Sequence, residues 1–282
     1  MPSQTTIKGE TQRADTAARV RLRLTIAYDG TGYQGWQIQK TGLGVQQKIE
    51  EALARLFPSR PQVHGSSRTD AGVHAAGLVA HFDLPPGEWR MTGDKLRLAL
   101  NAHLPEDIRV LSATRCQPDF HARFDALRKQ YRYLVWNHPA MHPLWRHQAW
   151  HVPRNLDVAA MRAAAAGFVG RQDFRSFTAN PGYARASSVR TVFRCDVRRR
   201  GPLVTFVIEA DGFLYKMCRG IVGTLIQVGL RKLEPSNIAR ILCQRDRRIA
   251  GMTAPAHGLV LWQVTYRGAR RAERFQPARQ QG

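Results

Sequence analysis

The sequence predicts an α+β fold with mostly antiparallel sheets, on three observations. Segments of period-two apolar alternation and segments of helical periodicity occur in both halves, without the strict strand–helix alternation of a doubly wound parallel sheet. Two strand-like segments, 189–198 and 203–210, are separated only by a short turn containing Arg200, Gly201 and Pro202, which reads as a hairpin. The stretch 137–150, carrying Pro139 and Pro143, reads as a connection between two halves that each mix both kinds of element.

Taken in order, residues 1–18 are polar and aperiodic, as expected of a disordered tail. From Val20 the chain alternates, with Leu22, Leu24, Ile26 and Tyr28 on one side and Arg21, Arg23 and Thr25 on the other, the pattern of a half-buried strand. A glycine-rich connection, 29–44, leads to a helical stripe of Val45, Ile49, Ala52, Leu53 and Leu56. Further strands are predicted at 77–83, 108–114, 130–136 and 258–266, besides the hairpin pair, and further helices at 92–102, 157–169, 213–230 and 235–245. The expected organisation is a tail at 1–18, a lobe at 19–138, a second lobe at 139–267 and a basic tail at 268–282.

Charge narrows the partners. Against 21 Asp and Glu stand 43 Lys and Arg, a formal net charge of +22 on 282 residues, and 36 of the cations are arginine. Codon bias is the bland account of part of that excess. The remaining field still favours a polyanion, and the arginine fork suits phosphate and base faces. The longest nearly apolar run, 220–230, contains Thr224 and Gln227 and is shorter than the ~20 residues a membrane span needs. Residues 1–18 contain no apolar core of a secretory signal. Cys116, Cys195, Cys218 and Cys243 are too scattered for a disulfide framework or a cysteine zinc site. The expectation is a soluble cytoplasmic protein that binds nucleic acid and no membrane.

Several motifs invite chemistry. Gly30-Thr31-Gly32-Tyr33-Gln34-Gly35 matches a dinucleotide-binding fingerprint, but the helix starts about ten residues too late and Glu50 and Glu51 lie inside it. A tight turn, or a loop approaching a ligand with Tyr33 and Trp36 as stacking surfaces, fits better. His138, His142, His147 and His151 surround two prolines and gain no carboxylate to complete a metal set, so no metal is expected. In Ser67-Arg68-Thr69-Asp70-Ala71-Gly72-Val73-His74, Asp70 taken alone is an ordinary turn former. Phe120-His121-Ala122-Arg123-Phe124 leads into Lys129-Gln130-Tyr131-Arg132-Tyr133, where bases and rings interleave as suits a strand facing RNA; a pair of core tyrosines is the plain alternative. In the apolar segment 213–230, Lys216, Arg219, Gly220, Gly223 and Gln227 share a stripe. A cation there is costly unless it faces RNA or meets an acid, and Asp70 is a fitting partner.

Together these pieces resemble the tRNA pseudouridine synthase A family. The resemblance rests on Tyr28-Asp29-Gly30-Thr31-Gly32-Tyr33 with Gly35-Trp36-Gln37, on Arg68-Thr69-Asp70-Ala71-Gly72-Val73-His74, on Phe120 to Phe124, on Tyr131-Arg132-Tyr133, on Met217 through Gly223, and on Gly258-Leu259 with Leu261. They occur in family order from about residue 20 to 266. Two positions depart: Ser67 stands where the family usually has glycine, and Asp125 where a serine is expected.

The resemblance implies two α/β lobes joined around a basic cleft, a homodimer, and cofactor-independent isomerisation of uridine to pseudouridine at tRNA positions 38, 39 and 40. That reaction breaks the N1 glycosidic bond, turns the base and joins C5 to C1′. It needs one ionised carboxylate near C1′ and C6. By resemblance Asp70 is that nucleophile and Arg219 its ion-pair partner. Tyr131, Arg68 and Leu261 contact the flipped nucleotide, and Arg123, Lys129, Arg132 and Lys216 contact RNA. A non-catalytic tRNA-binding protein or RNA chaperone on the same lobes is the rival; a DNA-binding structural protein would need a helix-turn-helix or zinc pattern that is absent.

Overall fold

The computed structural model describes residues 19–179 and 187–267; the two expected tails, 1–18 and 268–282, lie outside the described residues. Among the described residues the strands form one ten-stranded sheet. Its main path is β4-β1-β3-β10-β5-β9-β8-β7, with β2 beside β3 and β6 beside β5. The strands are β1 (Val20–Tyr28), β2 (His64–Gly65), β3 (His74–Leu84), β4 (Ile108–Arg115), β5 (Arg128–Trp136), β6 (Trp150–His151), β7 (Gly170–Asp173), β8 (Val189–Arg200), β9 (Leu203–Ala210) and β10 (Leu259–Thr265). The helices are α1 (Val45–Leu56), α2 (Gly93–His103), α3 (Val158–Ala166), α4 (Met217–Gly229) and α5 (Asn237–Gln244). The expected α+β class with mostly antiparallel pairing is borne out.

Alternation builds the N-terminal part. On β1, Leu22, Leu24 and Ile26 are fully buried. On the opposite face Arg21 pairs with Asp83, directly across the ladder on β3, at 2.7 Å. Helix α1 seals its side with Val45, Ile49, Ala52 and Leu53. Thr92 caps α2 by accepting the Lys95 N–H, and Asp157 caps α3 by accepting that of Ala160. The expected hairpin is present: β8 and β9 pair through Arg200↔Leu203, with Gly201 in the left-handed region at φ 56°. The short β2, β6 and β7 carry no periodic signal, being two to four residues long.

The last strand joins the two halves. β10 runs parallel to β3 through Val260↔His74 and Leu261↔Ala75, and antiparallel to β5 through Leu259↔Tyr133 and Leu261↔Tyr131. Strand β5 precedes the expected lobe boundary, yet its ladder partners β9 and β10 both come from beyond it. The junction β3-β10-β5 therefore lies mid-sheet, beside the loop that carries Asp70 at the start of β3.

Helix α4 begins four residues later than the apolar run suggests. Lys216 adopts φ 59°, a left-handed conformation that cannot continue a helix backwards, so 213–216 becomes a loop. The small residues within α4 have a packing reason. A Cβ on Gly223 would overlap the Met252 carbonyl, and one on Gly220 would press on Phe177 O. Next to Gly223, Thr224 donates to Gly220 O and accepts the Gly251 N–H, both at 2.9 Å. The segment 251–254 thus lies directly on the helix backbone. Gly223→Ala should lower stability by roughly 1–3 kcal/mol through overpacking, read as a lower thermal midpoint; an unchanged midpoint would show that this contact has slack.

Candidate active site

A cleft of about 1140 Å³ opens over the junction of the two halves. Its lining includes Arg68, Asp70, Arg123, Lys129, Tyr131 and Lys216, so six of the nine residues singled out from sequence meet in one place.

The Asp70 loop is held by backbone contacts from the glycine-rich connection. The Trp36 N–H donates to Thr69 O at 3.2 Å, and the Gly72 N–H to Tyr33 O at 3.2 Å. Gly35 sits at φ 93°, and a side chain there would overlap the Thr69 carbonyl. Gly30 is pressed as closely on the Val73 carbonyl, which explains these glycines without a dinucleotide. Tyr33 and Trp36, expected as stacking surfaces, are instead buried. They hold the loop from behind: Trp36 lies against Gly65, while the Tyr33 hydroxyl donates to Asp107 at 2.7 Å. The buried Tyr28 hydroxyl and Thr69 Oγ1 share a hydrogen bond of 2.8 Å. His74 accepts the Gly30 N–H at Nδ1 and sits 3.0 Å from His257 O at Nε2. A ring protonated on Nε2 serves both bonds.

With its backbone fixed in this way, the Asp70 carboxylate points outward to Arg219, whose Nη1 lies 2.9 Å from Oδ2 across 149 residues of sequence. Both side chains are largely shielded, at 14% exposure for Arg219 and 19% for Asp70. The guanidinium is oriented in turn by its Nε, which donates to Ala254 O at 2.7 Å, while the Ala254 N–H returns to Arg219 O at 3.0 Å. Asp70 closes its own turn with its backbone carbonyl, to the Val73 N–H, and keeps the carboxylate for the ion pair.

Tyr131 is 6% exposed, with Phe213 packed edge-on against its ring at 4.9 Å between centroids. Burial pushes its hydroxyl well above the ordinary phenol range, so the group stays protonated. Lys129 reaches past it to donate to Ser66 O at 2.6 Å. Its pKa is drawn down to about 8, first by burial and then by Arg123 and Arg190. Arg68 is exposed on the rim, and the Lys216 ammonium sits 4.9 Å from the Tyr215 ring centre.

Three of the nine lie elsewhere or act differently. Arg132 occupies the other face of the sheet, stacked over Trp262 at 3.6 Å, as alternation on β5 demands. Leu261 is fully buried, paired with Tyr131 in the ladder, and it is Leu259 that lines the cleft. Arg219 reaches the site from behind through Asp70. Residues 259 and 261 share a face, so parity could not separate them. Phe213 and Tyr215, also lining the cleft, were hidden inside the apolar run. Among the described residues, no three His, Cys, Asp or Glu side chains form a possible metal site. Nor is any described helix long and apolar enough to cross a membrane.

The comparisons with known proteins agree on one family. A family model described as tRNA pseudouridine synthase matches residues 24–125 and 164–267. The tRNA pseudouridine synthase A of Methylobacterium nodulans is 46% identical over 248 residues, covering 87% of this chain and 96% of its relative. That of Methylacidiphilum infernorum is 43% identical over 249 residues, covering 88% and 96%. That of Geobacillus kaustophilus is 44% identical over 251 residues, covering 87% and 94%. The glycine-backed aspartate loop and the guanidinium that meets it both fall within segments the family model matches, and the chain belongs to the tRNA pseudouridine synthase family.

Proposed function

We propose that this protein isomerises uridine to pseudouridine in tRNA, at positions 38, 39 and 40 of the anticodon stem–loop, with Asp70 as nucleophile. The observation that carries the reading is the Asp70–Arg219 pair at a cleft whose lining also brings together Arg68, Arg123, Lys129, Lys216 and the Tyr131 ring. The reaction gains and loses no atoms overall: the N1–C1′ bond breaks, the base turns, C5 joins C1′, and the C5 proton leaves for solvent while N1 gains one. A carboxylate is the group such a step needs. The neighbouring guanidinium holds the carboxylate in place through the 2.9 Å contact to Oδ2.

Tyr131 supplies a protonated ring against which the detached base turns, since stacking tolerates rotation that fixed hydrogen bonds would resist. Arg68, exposed beside Asp70, fills the place of the flipped nucleotide or grips its phosphate. Lys129, Arg123 and Lys216 take backbone phosphates, which offsets the few kcal/mol that base extrusion costs. The work divides between a lobe at 19–138 carrying Asp70 and a lobe at 139–267 carrying Arg219. The protein acts in the cytoplasm, as a homodimer. A monomeric mass by light scattering at micromolar concentration would remove the homodimer from this reading.

Mapping pseudouridine in tRNA from cells with and without the gene tests the assignment. Loss at 38–40 is expected, and an unchanged map would return the protein to the RNA-chaperone alternative. Asp70→Asn should lower turnover by more than about 10³-fold, as removal of a nucleophile does, with tRNA affinity within a fewfold; retained turnover would remove Asp70 from its role. Arg219→Met should lower kcat on the order of 10²-fold, the scale of one lost electrostatic partner, and change binding far less. Unaltered kinetics would mean that the ion pair is only structural.

A further inference from the structure

Phe124 is the feature of the cleft that the catalytic reading leaves unused. Its ring is 74% exposed, although the surrounding chain is built to hold it in place. The turn 121–125 winds around His121, whose Nδ1 accepts the N–H groups of both Arg123 and Phe124, at 3.1 and 3.3 Å. The His121 N–H donates to Asp125 Oδ2 at 2.7 Å, so the second departure from the family pattern closes this turn. The His121 ring packs against Phe124 with centroids 4.2 Å apart, and behind it stands the buried His81 at 4.7 Å. His64 stacks on His81 at 5.1 Å and, like His121 and Phe124, lines the cleft. The Ala122 N–H donates to His81 Nδ1 at 3.2 Å, locking the turn to the sheet.

A phenyl ring held out in this way gains little from its own burial. What it offers is a flat apolar surface at a fixed position, in a groove whose other walls present Arg68, Lys129 and Arg190. Arg123 keeps its guanidinium 5.6 Å from the ring centre, looser than a stacked contact, where it is placed to take a phosphate. An exposed ring beside cations is the composition that receives single-stranded nucleic acid, because every base has a π-face and every nucleotide a phosphate. Burial holds the His81 and His121 rings below their ordinary pKa, His81 at about 4, so the ring stack behind Phe124 stays neutral and does not repel itself.

We propose that Phe124, backed by His121, is a second base-stacking subsite, which receives an unpaired nucleobase of the RNA substrate other than the uridine that reaches Asp70. The proposal rests on tRNA being the substrate. It assigns Phe124 to substrate positioning and gives it no part in bond making. Stacking is tolerant of base identity, so the subsite adds affinity for an opened loop whatever its sequence.

The test is equilibrium binding of an anticodon stem–loop RNA, with 2-aminopurine placed at successive loop positions, to the parent protein and to Phe124→Ala, Phe124→Leu and Phe124→Trp. Loss of the stack should weaken binding roughly tenfold in the Ala and Leu variants, while Trp stays within twofold of the parent. The slope of log Kd against log salt should not change, because no phosphate contact is lost. One probe position should be quenched by the parent and not by Phe124→Ala. Ala or Leu variants binding within twofold of the parent, or a salt slope reduced by one phosphate contact, would overturn the subsite. If the parent meanwhile converts uridine in intact tRNA, that failure touches the subsite alone; a parent inactive on every tRNA overturns the function and the subsite together.

Discussion

A carboxylate and a guanidinium, brought from opposite halves of the chain to 2.9 Å, set the requirement that the rest of this architecture meets. Such a pair is a poor source of stability, since removing two charges from water costs about what their attraction returns. Its value is that it holds a small anion, partly shielded, in a protein with a net charge of +22. Each partner is oriented by groups outside the pair: Asp70 by a loop clamped at Thr69 and Gly72, Arg219 by the Ala254 carbonyl.

The orientation depends on backbone lying against backbone. Gly30 and Gly35 admit the carbonyls of Val73 and Thr69, and Gly223 admits that of Met252. Peptide groups packed this closely have little freedom to adjust, and a wrong distance at a reacting centre is expensive. The glycines therefore control the position of the ion pair from both sides without touching it. Strand β10 contributes at larger scale, fixing β3 and β5 to either side of itself and so setting the spacing between Asp70 and Tyr131.

Electrostatics and shape divide the cleft. Lys129 donates to the Ser66 carbonyl, just before the Asp70 loop, and ties that backbone to β5. The exposed cations, Arg68 and Arg123, stand toward solvent, where phosphates arrive. Asp125 accepts the His121 N–H within the turn that presents Phe124.

Local periodicity determined most of the elements, because alternation on β1 and the stripe on α1 are properties of neighbouring residues alone. It also determined that Tyr131 and Arg132 face opposite ways. The motif resemblance named Asp70 and Arg219, and charge named the class of partner. Tertiary structure decided the rest. That Tyr33 and Trp36 are buried supports, that Leu259 and not Leu261 lines the cleft, and that 213–216 leaves the helix all depend on what packs against each segment from far along the chain. Short β2, β6 and β7 exist only because a neighbour offers them an edge. A sequence pattern carries the preferences of a segment for burial and for backbone angle; which distant carbonyl a glycine must accommodate, and which carboxylate an arginine will meet, is settled when the whole sheet closes.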